Sequence, residues 1–293
     1  MCVTLGKARL SDTILYGAET IDGAGDLVHV LGYQNTVQNL IGTVKDDWGW
    51  NSPHPEVAGT GNAMILPFPA VPGTMTQDDV IPTAKFPNIL KNMADAVRLR
   101  REKQTKTFTL GVSRDVERRV IVFESGIYTV VLADDALDIF SALERVPADK
   151  RPPLNREIFQ AYDGWYHNWP IALCCFNNNS AKAATPMLWW YRPARPDFLF
   201  LPALDCHSGA VPDLDSEVSV DHTIAVASHR MLRGETVSFE DHIPPSMKPY
   251  VRNQVVGDQL GGRLKNGDFV CRVGDVVNGV FEPKRLPPPG VRP

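Results

Sequence analysis

Residues 118–146, RRVIVFESGIYTVVLADDALDIFSALERV, indicate the class of fold. Two runs rich in β-branched and aromatic residues flank Ser125-Gly126, a pattern that predicts two strands joined by a tight turn. Asp134 and Asp135 follow the second run, where an acidic side chain can cap a helix. The apolar residues of that helix share one side: Ala136, Leu137, Phe140 and Leu143. This order of elements is typical of an α+β domain with a mainly antiparallel sheet and a few covering helices.

The regions before and after this segment fit the same class. Residues 13–19 and 27–35 are two predicted strands, and the glycines and Asp22 between them suit a hairpin loop. Residues 86–104 form the clearest predicted helix. Its apolar stripe consists of Ile89, Leu90, Met93, Ala96 and Val97. Residues 153–166, PLNREIFQAYDGWY, predict a short helix with Pro153 near its beginning, and residues 170–176 and 186–191 predict two more strands. In the strand at 186–191 we interpret Trp189 and Trp190 as core residues, with a ligand groove as the alternative.

A resemblance extends over residues 13–204. The segments ILPFPAVPG, SGIYTVVLADDALDIFSALERVP, YDGWYHNWPIALCCF and TPMLWWYRPARPDFLFLPAL occur in this order. They resemble a bacterial family described only as a domain of unknown function, whose members carry LPxPxVP and GxYxVxxL segments. The resemblance implies an α+β fold and brings no activity, cofactor or catalytic residue. Members of that family are often exported, whereas this sequence shows no signal peptide.

We predict one main domain and two smaller parts. Residues 1–203 form the α+β core domain, and residues 204–285 form a β-rich C-terminal segment packed on it. Residues 286–293, LPPPGVRP, are a proline-rich tail with restricted backbone freedom. The prolines in residues 66–72, LPFPAVP, remove backbone donors, so this strand is expected to lie or end at a sheet edge.

Composition excludes several classes of function. The 293 residues carry a formal net charge of −4 with no lysine-rich run, so nucleic-acid binding is not expected. There is no apolar stretch of membrane-spanning length. The five cysteines have no disulfide framework spacing, which indicates reduced thiols and a cytoplasmic protein. Dinucleotide-loop, phosphate-loop and zinc-protease motifs do not occur in complete form. We therefore expect no cofactor and no membrane partner.

Candidate ligands are densest in residues 204–222, LDCHSGAVPDLDSEVSVDH. A calcium loop starting at Asp213 fails, because positions 6 and 12 hold Val218 and Ile224. A strand of period two instead puts His222 on an apolar face and Asp221 on the opposite face. Three residues then remain at a turn: Asp205, Cys206 and His207. Asp205 and His207 are candidate metal ligands, and Cys206 and His207 are candidate catalytic residues.

Cys2 is a second catalytic candidate. If Met1 is removed, the thiol of Cys2 becomes a nucleophile whose base is its own α-amine, as in N-terminal-nucleophile amidases. The supporting residues are poorly matched, since Arg9 and Asp12 lie close to the first turn. The alternative is an ordinary buried or surface thiol.

Three functions follow from these observations. The leading hypothesis is a non-catalytic binding or assembly protein with a protein partner or self-assembly, using residues 66–72 and the tail as contact elements. The alternatives are an amide hydrolase using Cys2 and a metal-dependent enzyme at Asp205 and His207. The sequence does not decide whether the protein is an enzyme.

Overall fold

The computed structural model describes residues 3–6, 8–39, 61–99, 119–153, 155–177, 185–234, 236–238 and 243–291. Their strands are β1 (Ala8–Ile21), β2 (Leu27–Asn39), β3 (Asn62–Pro67), β4 (Val80–Ile81), β5 (Val120–Ser125), β6 (Tyr128–Ala133), β7 (Ile171–Phe176), β8 (Met187–Tyr191), β9 (Phe198–Leu201), β10 (Glu217–Ser228), β11 (Val237–Ser238), β12 (Gln254–Lys265), β13 (Asp268–Arg272) and β14 (Lys284–Leu286). The α-helices are α1 (Ile89–Arg98), α2 (Ile139–Ala142), α3 (Arg156–Trp165) and α4 (Val273–Val277).

These strands form three sheets. Seven strands follow the order β11-β12-β10-β1-β2-β8-β4, four follow β3-β7-β6-β5, and three follow β14-β13-β9. The described pairings between these named strands are antiparallel except for β1 with β10, which is parallel. The predicted α+β class with a mainly antiparallel sheet is thus confirmed.

Strand alternation separates the core into layers. Leu15 of β1 packs into the same apolar cluster as Met64 of β3 and Cys174 of β7, so this cluster lies between the two larger sheets. Tyr16 points to the other side of its sheet, where α1 covers it. Cys175 likewise points away from Cys174, into a cluster covered by α2 and α3. Both larger sheets therefore have apolar clusters on both faces, which accounts for the burial of β3, β6 and β7 along their whole length.

The hairpin between β1 and β2 forms as predicted. The Oδ1 atom of Asp22 accepts hydrogen bonds from the backbone amides of Ala24 and Asp26, each at 2.9 Å. Gly25 has φ +92°, a conformation that glycine adopts without steric cost. These contacts close the loop and fix the register of the two long strands.

Helix α1 is shorter than the predicted 86–104, whose last five residues, 100–104, lie outside the described residues. Ile89, Leu90, Met93 and Val97 are buried as expected. Ala94 is buried rather than Ala96, because Ala94 lies one helical turn after Leu90 and therefore on the buried face, as Met93 lies one turn after Ile89. None of the described helices is long and apolar enough to cross a membrane.

The prediction that residues 66–72 offer a contact surface is wrong for most of that segment. Strand β3 does lie at the end of its sheet, and it ends at Pro67. However, residues 66–70 are buried, and Phe68 packs against Trp189 and Tyr191. Only Val71, 38% exposed, and the turn after it reach the surface.

The C-terminal part contributes directly to the sheets. Strand β10 pairs with β1, and β12 pairs with β10, so residues 204–285 extend the sheet begun by the first hairpin. A domain boundary near residue 204 stays a prediction. The tail is docked on its own chain: Pro288 is buried, and the amide of Gly290 donates to the carbonyl of Trp165 at 2.8 Å.

Candidate functional site

The turn at residues 205–207 is held by polar side chains from the β12–β13 connection. The amides of Ala203 and Leu204 donate to Oδ1 of Asp268, at 2.8 and 3.2 Å. The amide of Asp205 donates to Oδ1 of Asn266 at 2.9 Å. Asp268 is itself buried and accepts a hydrogen bond from the Tyr166 hydroxyl. The turn is therefore rigidly positioned by groups more than 60 residues away in sequence.

Asp205 and His207 are brought together. The Oδ1 atom of Asp205 lies 3.3 Å from Nε2 of His207, and these side chains are only 10% and 20% exposed. Burial raises the pKa of Asp205 and lowers the pKa of His207 to about 4. The imidazole is therefore neutral at pH 7, the form that can bind a metal. Within the described part of the chain, no group of three or more His, Cys, Asp and Glu is arranged to hold an ion. The metal role of these two residues stays a prediction.

The thiol of Cys206 is directed elsewhere. Its Sγ atom lies 3.1 Å from the carbonyl of Ala210 and 3.3 Å from the hydroxyl of Ser208. The nitrogen Nε2 of His207 faces Asp205 instead. Nucleophilic catalysis needs the base within hydrogen-bond reach of the thiol, and this conformation does not provide that contact. The catalytic role of Cys206 and His207 stays a prediction.

Cys2 lies outside the described residues, so the N-terminal-nucleophile mechanism stays a prediction. The first described residue, Val3, forms a parallel bridge with Cys206, and the amide of Thr4 donates to the Cys206 carbonyl at 2.9 Å. On its other side this segment bonds to β3, where the amide of Leu5 donates to Ala63. The described chain thus begins next to the turn at 205–207.

The predicted alternation in β10 is confirmed. His222 is 1% exposed and its ring lies 5.8 Å from that of Phe269. Asp221, on the opposite face, accepts a hydrogen bond from the amide of Asp12 at 3.0 Å. The nearest atoms of the two side chains, Nδ1 of His222 and Oδ1 of Asp221, are still only 3.8 Å apart. Both residues therefore have structural roles. His222 packs in the core, and Asp221 holds the backbone of Asp12, where the pairing of β1 is irregular.

A cleft that the sequence did not predict lies at the β4 end of the large sheet. Its volume is about 410 Å³. It is lined by Thr74, Thr76, Asp78, Asp79, Trp190 and Arg192. Of the two tryptophans considered in β8, Trp189 is buried in the core as interpreted, whereas Trp190 forms a wall of this cleft.

The floor of the cleft is built by a single helical turn. The amide of Asp78 donates to the Thr76 hydroxyl, and the amide of Thr76 donates to Oδ2 of Asp79 at 2.6 Å. This reciprocal capping fixes the turn and holds the carboxylate of Asp79, while Asp78, the next residue back, is exposed. Burial, assisted by the charge of Asp78, raises the pKa of Asp79 to about 6, against the hydrogen bond from the Thr76 amide and the smaller effects of the Arg192 and Arg119 charges.

The walls come from distant parts of the sequence. The Trp190 ring stacks on Tyr250 with 6.4 Å between centroids and 18° between planes. Arg192, just after β8, forms an ion pair with Asp26 of the first hairpin at 3.0 Å. The sequence does contain the capping pattern Thr76-x-x-Asp79 after a Pro-Gly turn, a signal that could have located the floor. No sequence pattern near Trp190 or Arg192 predicts that these side chains line the same cleft as Asp79.

Comparisons with known proteins give only distant likenesses. No protein-family model matches the sequence, and no curated protein matches it. The fold is similar to a crystal structure of baculovirus P35, with a TM-score of 0.44 and 11% identity over 94% of this chain and 92% of that one. P35 in a caspase-8/P35 complex gives 0.40 and 10% over 95% and 96%. A mutated baculovirus P35 after caspase cleavage gives 0.41 and 9% over 95% and 100%. Likeness at these TM-scores supports no conclusion about function.

Proposed function

We propose that the protein is a non-catalytic binding protein, and that a protein partner docks over the cleft beside Val71. The observation that carries this proposal is the cleft itself, which combines an indole wall with two adjacent carboxylates under an exposed turn. Its volume of about 410 Å³ suits a small group or an inserted side chain. Aromatic walls of this kind supply large contact areas at low entropic cost.

The position of the cleft also favours a macromolecular partner. It opens beside the short edge strand β4, and the exposed turn 71–74 stands at its rim. The first two residues of this turn, 71–72, are the part of the predicted contact segment 66–72 that remains accessible. The amide of Val71 donates to the carbonyl of Arg192 at 2.8 Å, so the rim and one wall are rigidly connected. A preformed site of this kind binds with little reorganisation.

Selection of peptides from a random library on the folded protein tests the proposal. The affinity of enriched peptides is measured by calorimetry for the natural chain and two cleft variants. Thr74→Trp fills the cleft from a partly exposed position, and Trp190→Ala removes its wall. We expect each variant to weaken binding at least tenfold. Met231→Ala, at a side chain 87% exposed, is the control and should leave affinity unchanged. Enriched peptides that bind Thr74→Trp as tightly as the natural chain would overturn the proposal.

A further inference from the structure

We infer that the group received by the cleft is a cationic side chain of the partner, a lysine ammonium or an arginine guanidinium. This inference rests on the proposed function and names the chemistry of the inserted group. It follows from the unneutralised carboxylates, the engaged arginines and the indole wall.

Among the described residues, no cation lies in contact with the carboxylates of Asp78 and Asp79. Neither residue forms an ion pair with any other described residue. Asp78 is exposed at the mouth, while Asp79 is 4% exposed at the floor. A cation in the cleft would offset both the repulsion that Asp78 exerts on Asp79 and the unfavourable burial of charge at Asp79.

The nearby arginines are engaged elsewhere. Arg192 pairs with Asp26 at 3.0 Å, and Nη2 of Arg119 donates to the carbonyl of Met75 at 3.4 Å. Both guanidinium groups act on Asp79 only through longer-range charge. An anionic ligand would share the Arg192 guanidinium with Asp26 and would have to approach two carboxylates. The charge distribution therefore selects a cation.

The remaining lining completes a cation site. One indole face of Trp190 is supported by the Tyr250 ring, and aromatic faces attract ammonium and guanidinium groups electrostatically. The hydroxyl of Thr76 accepts from the Asp78 amide and keeps a second lone pair for an incoming N–H donor. Carboxylates, an indole and hydroxyl oxygens together match the end of a lysine or arginine side chain.

Binding of a cation here depends on pH. The charged groups that act on Asp79 are Asp78 beside it, Arg192 just after β8 and Arg119 just before β5. The charge of Asp79 in turn contributes to raising the pKa of Tyr250. Because the pKa of Asp79 in the free protein is about 6, protonation removes one attractive charge as the pH falls through 6. Affinity for a cation should therefore decrease between pH 7 and pH 5.

Three matched probes test the inference: the N-acetyl methylamides of lysine, norleucine and glutamate. Binding is followed through the Trp190 indole N–H signal in heteronuclear NMR spectra, assigned with Trp190→Phe. We expect saturable shifts with the lysine probe that are at least fivefold weaker at pH 5, and no saturable shifts with the other two. Asp78→Asn should weaken binding of the lysine probe at least fivefold. Asp95→Asn on α1, at a carboxylate that is 68% exposed and does not line the cleft, is the control and should have no effect.

The outcomes separate this inference from the proposed function. Norleucine or glutamate binding as tightly as lysine would overturn the cationic assignment. So would enriched library peptides whose affinity survives replacement of every Lys and Arg by norleucine. In either case, continued sensitivity of those peptides to Thr74→Trp would leave the binding proposal standing. Loss of that sensitivity would overturn both.

Discussion

The backbone amide of Gly290 donates a hydrogen bond to the carbonyl of Trp165, the last residue of α3. At this point the two backbones approach so closely that a Cβ atom on Gly290 would lie 2.0 Å from the carbonyl oxygen of Gly164. Leu286, further back in the tail, pairs with Asp268 in the β13–β14 ladder. The proline-rich tail is therefore part of the folded structure, while Pro287, Pro289 and Gly290 remain exposed, and its role as a contact element stays a prediction.

Gly290→Ala should undock the tail from α3. The added methyl group overlaps a backbone oxygen that cannot move without distorting the end of the helix, so we expect a loss of about 1–2 kcal/mol in the free energy of unfolding. The tail should also become sensitive to carboxypeptidase. Gly274→Ala in α4 is the matched control, since a Cβ there meets nothing within 4 Å and alanine favours the helix. Equal stability of the two variants in urea titrations would contradict this interpretation of the contact.

How far the sequence could predict this fold depends on the range of the interactions. The β1–β2 hairpin, the strands β5 and β6 and the helices α1 and α3 depend on periodicity, turn chemistry and capping within short segments, and those predictions were confirmed. The parallel pairing of β1 with β10 joins residues about 200 positions apart, and no local pattern encodes it. The burial of residues 66–70 has the same origin. Prolines indicated an edge strand, but the core that covers it comes from Trp189 and Tyr191.

The candidate sites likewise divide into short-range contacts, which the sequence predicts, and long-range contacts, which it does not. Chain proximity correctly placed Asp205 beside His207, whereas no third ligand from the described residues joins them. The cleft needs Asp79, Trp190 and Arg192 at once, and these residues meet only because β4 pairs with β8 at the sheet edge. The cleft exists only in the folded chain and is not predictable from the sequence around any one of these residues.

Glu19→Gln should destabilise the protein by about 2 kcal/mol at pH 7, since hydrogen bonds to a buried charge are lost. The Glu19 side chain is 2% exposed, and Arg230 donates to both of its oxygens, at 2.6 and 3.0 Å. Burial alone would raise the pKa of Glu19, but the hydrogen bonds from Arg230 and Ser228 lower it below its usual value of 4.5. Chemical denaturation of both chains measures the difference.

The pH dependence of this difference follows from the direction of the shift. With a lowered pKa in the folded state, the contribution of Glu19 is complete above pH 4.5 and is lost as the pH falls through the folded-state value. The gap between the natural chain and Glu19→Gln should therefore narrow in acid. Glu217→Gln is the control, because Glu217 and its partner Arg263 are both more than 60% exposed. A Glu217→Gln effect as large as that of Glu19→Gln would refute the assignment.

Asp12 marks an irregularity in β1 whose strain can be measured. The register with β2 shifts between Ser11 and Ile14, and Asp12 has φ +51° in the left-handed region. Its amide is held by Oδ2 of Asp221 at 3.0 Å. Because side chains disfavour this conformation, Asp12→Gly should be about 1 kcal/mol more stable than Asp12→Ala. Ser219 is the control position, because it is exposed in β10 and has ordinary backbone angles. There the order of stability should reverse, so that Ser219→Ala is more stable than Ser219→Gly. The same order at both positions would argue against strain at Asp12.

Thiol reactivity separates the binding hypothesis from the thiol-hydrolase alternative. Among the described cysteines, Cys174, Cys175 and Cys271 are buried, and burial raises the pKa of both Cys175 and Cys271 to about 12. Only Cys206 is partly exposed, and its Sγ atom lies against the Ala210 carbonyl rather than an imidazole. In the folded protein a disulfide reagent should therefore modify Cys206 no faster than a free cysteine, and the three buried thiols only after unfolding. Peptide mass mapping with Cys206→Ser and Cys2→Ser identifies each site. A thiol at position 2 or 206 that reacts many times faster than free cysteine would favour nucleophilic catalysis over the proposed binding role.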